Sequence, residues 1–178
     1  MKAAKWYTLQ ILFLFVLLLS HCKKNKTDEP QLPPETTTGE NTFGCKINGK
    51  VFVPKDGRGK PGLFVQYINL GNGPGGGWFL NIPATNWKPT MPEGISIETD
   101  SLLVIEGNSY FFKNKKGFPR AFYDNQISFI VLDNNGKLII TKFDISKRIL
   151  SGKFSFIATN TTNGDQLNIT EGRFDVRY

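Results

Sequence analysis

Two consecutive runs decide the fold: Ile149-Leu-Ser-Gly-Lys-Phe-Ser-Phe-Ile-Ala-Thr-Asn160 and, after the break Thr161-Thr-Asn-Gly-Asp165, Gln166-Leu-Asn-Ile-Thr-Glu-Gly-Arg-Phe-Asp-Val-Arg-Tyr178. In the first, Leu150, Gly152, Phe154, Phe156 and Ala158 recur every second residue, the spacing of side chains that share one face of a β-strand. In the second, Leu167 and Ile169 are apolar at odd positions, whereas Phe174, Val176 and Tyr178 are apolar at even ones. A regular strand cannot change parity, so a bulge or sharp bend is predicted at Glu171-Gly172, keeping one face on the core. The intervening break is built of tight-turn residues, which makes the two runs antiparallel neighbours.

Working outward, Gln126 to Leu132 and Lys137 to Asp144 read as two further strands. Asp133-Asn-Asn-Gly136 and Ile145-Ser-Lys-Arg148 are turn-like, so the chain from 126 onward reads as a four-stranded meander. Ile127 to Leu132 and Leu138 to Ile140 are apolar on both parities, which calls for cover on both faces or strong curvature. Upstream, Asn48-Gly49 suits a type I′ turn and joins Phe43–Ile47 to Lys50–Val53 in a hairpin. Leu63 to Leu70 and Trp78 to Ile82 are predicted strands flanking a glycine-rich hairpin loop, Gly71 to Gly77. Prolines make Pro83 to Gly94 a predicted loop. Ile95 to Ile97, Leu102 to Ile105, Ser109 to Phe112 and Ala121 to Tyr123 read as short strands. No segment after the N-terminal region sustains a helical period, so the class is all-β, an antiparallel β-sandwich or a flattened calycin-like barrel.

The chain has 178 residues, 39% hydrophobic and 13% aromatic, enough for one core and too apolar for a disordered chain. With only Cys22 and Cys45, a disulfide framework and a four-Cys zinc site are excluded, and Cys45 reads as a small core residue. His21 is the one histidine, which excludes two-imidazole sites and leaves residues 22 to 178 with no Ser-His-Asp or Cys-His machinery. The loop Gly71 to Gly77 lacks the helix start that phosphate binding needs, because Trp78-Phe79-Leu80 continues as strand. Asp133 to Gly136 lacks the alternation and terminal Glu of a calcium loop. Glu93, Glu98, Asp100 and Glu106 are the candidates for paired-carboxylate chemistry and read instead as solvated acids at strand ends. The sequence therefore predicts a non-enzyme with no cofactor and no metal.

At the other end, Lys2 and Lys5 precede the apolar run Ile11 to Leu19, the arrangement of a secretory signal. The run is too short to span a bilayer, which takes about 20 apolar residues. Leu19-Ser-His-Cys22 follows it and resembles the lipobox of bacterial lipoproteins. That resemblance implies cleavage before Cys22, a diacylglyceryl group on its thiol and an acylated amino terminus, palmitate being the expected chain. On this reading 1–21 is a lipoprotein signal peptide, 22–40 a lipidated Cys with a disordered tether, and 41–178 a single all-β domain. The expected location is the bacterial outer membrane, on either its periplasmic or its cell-surface face, with Lys23, Lys24 and Lys26 beside the head groups.

Thr42-Phe-Gly-Cys-Lys-Ile-Asn-Gly-Lys50, Ile149-Leu-Ser-Gly-Lys-Phe-Ser-Phe156 and Thr170-Glu-Gly-Arg-Phe-Asp175 together resemble a family of Bacteroidota lipoproteins catalogued as a domain of unknown function. The resemblance implies an envelope protein and carries over no catalytic residues. Two functions fit such a protein. One is a membrane-anchored binding module for a glycan, peptide or partner protein. In it Trp78, Trp87, Tyr110 and Phe118 would form an aromatic platform beside Lys113, Lys115, Lys116 and Arg120, suited to an anionic ligand. The other is a structural or assembly subunit of an outer-membrane complex with no small ligand. The net charge of +7 invites a nucleic-acid reading, which export disfavours.

Overall fold

The computed structural model describes residues 30–178, so the signal, the lipobox and Cys22 lie outside the described residues. Ten strands follow one another: β1 Thr42–Ile47, β2 Lys50–Phe52, β3 Gln66–Asn69, β4 Trp78–Asn86, β5 Glu93–Thr99, β6 Ser109–Phe111, β7 Pro119–Asp124, β8 Ser128–Asp144, β9 Ile149–Thr159 and β10 Gln166–Arg177. They form one antiparallel sheet in the order β2-β1-β10-β9-β8-β7-β5-β4-β3, with β6 paired to β8. The sheet curls into a half-barrel, in keeping with the all-β architecture that the alternation predicts.

The curl follows from where the apolar side chains point. Phe154, Phe156 and Ala158 of β9, Ile169, Phe174 and Val176 of β10, and Ile82, Ala84, Ile95 and Ile97 of β4 and β5 are all buried in one cluster. Edge strand β3 contributes Tyr67, whose ring lies 5.5 Å from Phe143 of β8 and 5.3 Å from Tyr178. One end of the sheet thus packs across the interior onto the opposite wall. Phe112 is fully buried edge-on to Phe156, and burial of such a side chain contributes about 1.5–3 kcal/mol.

The parity change in β10 is a bulge. Its pairing with β9 slips by one residue between Ile169↔Phe156 and Gly172↔Phe154, and Glu171 takes a positive φ of 52°. Both Ile169 and Phe174 therefore face the core. The hairpin turn is also as predicted: Asn48 and Gly49 have φ of 47° and 84°, and Cys45 pairs with Phe52.

Four local expectations are corrected. Pro83 does not end β4, which continues to Asn86 and pairs with β5 from Asn81 to Asn86 without a break at the proline. The Pro83 carbonyl accepts from Phe64 and the Thr85 amide donates to Gly62, so the backbone polar groups at 83 face the β3 side. The missing N–H interrupts only that edge ladder, and β3 shortens to four residues of the predicted Leu63 to Leu70. Asp133 to Gly136 belongs to a long bulge inside the single strand β8, in which Leu132 to Asn135 stand opposite Ile157 alone and Gly136 resumes the pairing, and is not a turn between two strands. It bends the strand toward the segment after β6, where the Asn134 amide donates to Phe112 and Phe112 in turn donates to Gly136. Leu102 to Ile105 is a loop; only Val104 is buried, its amide donating to the Tyr67 hydroxyl at 3.1 Å.

The stretch 22–40, expected as a disordered tether, is docked over its described end. From Leu32 to Glu40 the chain is a strap laid over the outer face of β1, β10 and β9. Gly44 has no side chain where Pro33 and Leu32 pack, and Gly39 is buried against Arg177 and Ile149. The strap is fastened on Asp175, which is 1% exposed although it faces away from the core. Its carboxylate accepts from the hydroxyls of Thr36 and Ser151, both at 2.7 Å. It also accepts from the backbone amides of Thr38, Gly39 and Glu40 at 3.0, 2.8 and 3.1 Å. Burial alone would raise the Asp175 pKa, but the bonds from Thr36, Ser151, Glu40 and Gly39 outweigh it and hold the carboxyl below its ordinary value. Composition marks 23–40 as unable to build a core; it does not stop part of it from docking on one.

Candidate functional site

The aromatic residues singled out from sequence do not form one platform. Trp78 stacks on Tyr67 at 4.8 Å and packs against the core. Tyr110 also packs there, its hydroxyl accepting from the Ile105 amide at 2.9 Å. Trp87 follows the far end of β4, about 30 Å from Trp78 at a strand rise of about 3.3 Å per residue. The basic segment is a tight loop between β6 and β7, closed by the Lys113 amide donating to Pro119 at 2.9 Å. There Lys113 and Phe118 do meet, the ammonium lying 4.6 Å from the ring centre, while Lys115 and Lys116 point to solvent. Arg120 sits on β7 with its guanidinium 3.7 Å from Glu98.

Trp87 belongs to a different constellation. A groove of about 310 Å³ opens on the outside of β4, β5 and β7, lined by Thr85, Trp87, Pro92, Glu93, Gly94, Ser96, Phe122, Asp124 and Gln126. Register builds it. Thr85, Gly94 and Asp124 lie in one row across the three strands, and Ser96 and Phe122 pair in a row beside them. Gly94 makes the floor: a Cβ there would stand 2.9 Å from the Thr85 hydroxyl oxygen. Trp87 is held rigidly, its indole N–H donating to the Pro61 carbonyl at 2.9 Å and the Lys60 ammonium lying 4.7 Å from the ring centre.

Two acids border the groove. The Tyr123 hydroxyl donates to Glu93 at 3.1 Å, and the Gln126 amide donates to Asp124 at 3.1 Å. In each case only one carboxylate oxygen is engaged by a donor among the described residues. Burial, followed by the nearby Glu93 charge, pushes the Tyr123 phenol up to about 12, so it remains a donor at neutral pH. The same two causes push the Cys45 thiol up to about 12. Cys45 is fully buried and is the inert core residue that its place in the hairpin predicts. No basic residue lines the groove, so its chemistry is that of an aromatic wall with hydroxyl, amide and carboxylate groups.

The other acids considered from sequence are engaged separately. Glu106 accepts from the Phe143 amide at 2.9 Å and pairs with Lys142 at 3.2 Å, and these bonds, the amide's first, hold its carboxyl below the ordinary range. Asp100 accepts from Ser101. Among the described residues no group of three or more His, Cys, Asp and Glu is placed to hold a metal ion.

Comparison with known families brings one match. Residues 90–176 match the family described as Domain of unknown function (DUF6252). The matched stretch takes in β5 to β10 with the bulges of β8 and β10, and it contains Pro92, Glu93, Gly94, Ser96, Phe122, Asp124 and Gln126 of the groove. Thr85 and Trp87 fall just before it. No curated protein and no solved structure matches the chain.

Sequence reasoning named Trp87 and missed Phe122, Asp124, Gln126, Thr85 and Ser96 as its neighbours. The available signal is the alternation of Gly94 and Ser96 with Ile95 and Ile97, and of Phe122 and Asp124 with Ala121 and Tyr123. That alternation tells which residues face out, but not that β5 and β7 pair across the β6 excursion.

Proposed function

We propose that this chain is a non-catalytic binding module, anchored by lipid on Cys22 to the bacterial outer membrane, whose groove beside Trp87 takes a neutral, hydroxyl-rich ligand of the glycan class. The observation that carries the reading is the groove itself: an indole held by its hydrogen bond to Pro61 and by Lys60 on its ring, and Phe122, beside two carboxylates that each keep one oxygen unengaged among the described residues, with no basic residue in the lining. Aromatic faces pack on the C–H surface of a sugar, and carboxylate, amide and hydroxyl groups bind its hydroxyls. Its volume is at the lower end of small-molecule sites, which suits one or two sugar units. The acidic rim replaces the anionic ligand suggested by the lysine-rich segment, which lies elsewhere.

Titration with neutral oligosaccharides, followed by tryptophan fluorescence and calorimetry, tests it. Saturable binding weakened at least about tenfold by Trp87→Ala and by Asp124→Asn is expected. Absence of binding, or binding indifferent to both changes, would overturn the proposal. The membrane part is tested by mass spectrometry of the N-terminal peptide, in which a diacylglyceryl-modified Cys22 is expected. A second reading, an assembly subunit, is favoured by edge strand β3, whose flank leaves Phe64, Ile68 and Leu70 exposed beside an open edge.

A further inference from the structure

A second groove, of about 240 Å³, lies on the other side of the sheet's outer surface, between the strap and strands β8, β9 and β10. Lys137, Lys153 and Arg173 reach into it, with Ile139 and Ser155 on its floor and Glu35 and Glu171 at its margins. Lys153 and Arg173 are direct cross-strand partners. Like charges opposed in this way repel unless an anion stands between them. Here the anion is Glu35, which comes from the strap and not from the sheet. Its carboxylate pairs with the Lys153 ammonium and lies 3.9 Å from the Arg173 guanidinium. Thr36, the next residue, is bound to Asp175, so the fastening of the strap sets Glu35 in place. Arg173 is shared with Glu171 at 3.8 Å, and Lys137 has no ion pair among the described residues.

We propose that this groove is a binding site for a phosphate group, occupied in the free protein by Glu35 as an internal stand-in. A phosphate ester or free phosphate supplies the same oxygens as Glu35 with more charge, and it would also engage Lys137, which has no ion pair among the described residues. Binding displaces the Glu35 side chain while Asp175 keeps Thr36 to Glu40 docked. The site is independent of the Trp87 groove and of the glycan reading.

The test uses the full chain and inorganic phosphate, read by NMR shifts of the Lys153 and Arg173 side chains at low ionic strength, with glycerol phosphate as the ester arm. Glu35→Gln removes the competitor and is expected to tighten binding by about tenfold, whereas Lys153→Gln abolishes it. Glu40→Gln makes the same charge change on the same strap outside the groove, and is expected to leave affinity unchanged. Thermal melting of each variant confirms folding. Equal tightening by Glu35→Gln and Glu40→Gln would reduce the effect to net charge and overturn the proposal, as would absence of saturable binding of both inorganic phosphate and glycerol phosphate to the Glu35→Gln chain. Binding of the ester but not of inorganic phosphate would identify a phosphorylated organic molecule as the source. Trp87→Ala is expected to be silent in this assay.

Discussion

A single carboxylate organises the outer face of the sheet. Asp175 lies between Phe174 and Val176 in a strand whose alternation marks it as solvent-facing, and it is nevertheless buried under five hydrogen bonds. Replacing it by Asn sets either the two donors on one carboxylate oxygen or the three on the other against an NH2 group, and a loss of about 1–3 kcal/mol at pH 7 is expected in urea denaturation. The sign of the pH dependence follows from the depressed folded-state pKa. The contribution is fully present above the unfolded value of about 3.9 and disappears as the pH falls through the folded value. The gap between wild type and Asp175→Asn should therefore close in strongly acid solution; a gap of constant size would refute the assignment. At this scale the sequence shows the parity of Asp175 but not its burial, because three of its five donors are backbone amides more than 130 residues away in the chain.

Among the elements, β10 is the most legible and β4 the least. The shift of apolar residues from odd to even positions locates the β10 bulge, because burial of one face leaves the backbone no regular alternative. Gly172 lets that bulge close: a Cβ there would overlap the Phe154 ring, which is fixed between Phe43 and Phe156. Gly172→Ala is expected to destabilise by about 1–3 kcal/mol, and by less in a Phe154→Leu background, in a double-mutant cycle read by thermal melting. Equal penalties in the two backgrounds would separate the glycine from the ring. In β4, a proline that composition rules read as a break sits inside the strand, because its missing donor faces the edge. The bulge of β8 likewise looks like a turn, since Asn134 and Gly136 serve either purpose, and its pairing with the segment after β6 decides between them.

At the scale of the whole molecule, the strap joins the N-terminal region to the sheet and walls the phosphate groove. A chain starting at Asn41 loses the donors of Thr36 to Glu40 and the cover over Gly44 and Ile149. It is expected to be about 2–4 kcal/mol less stable than one starting at Gln31, with faster hydrogen exchange in β10. Equal stability would show the strap to be a passive tether.

Alternation, the Asn48-Gly49 turn and the parity change are local: each depends on the two-residue period of a strand or on the φ that one residue adopts without strain, and these the sequence determined by itself. Which strands meet, which tether residues dock and which outward side chains gather into grooves were decided only by the tertiary structure. Pairing of β1 with β10 and of β5 with β7, and the hold of Asp175 on residues 36–40, join distant segments. Their free energy exists only once the sheet has curled, so it leaves no period in the sequence to read.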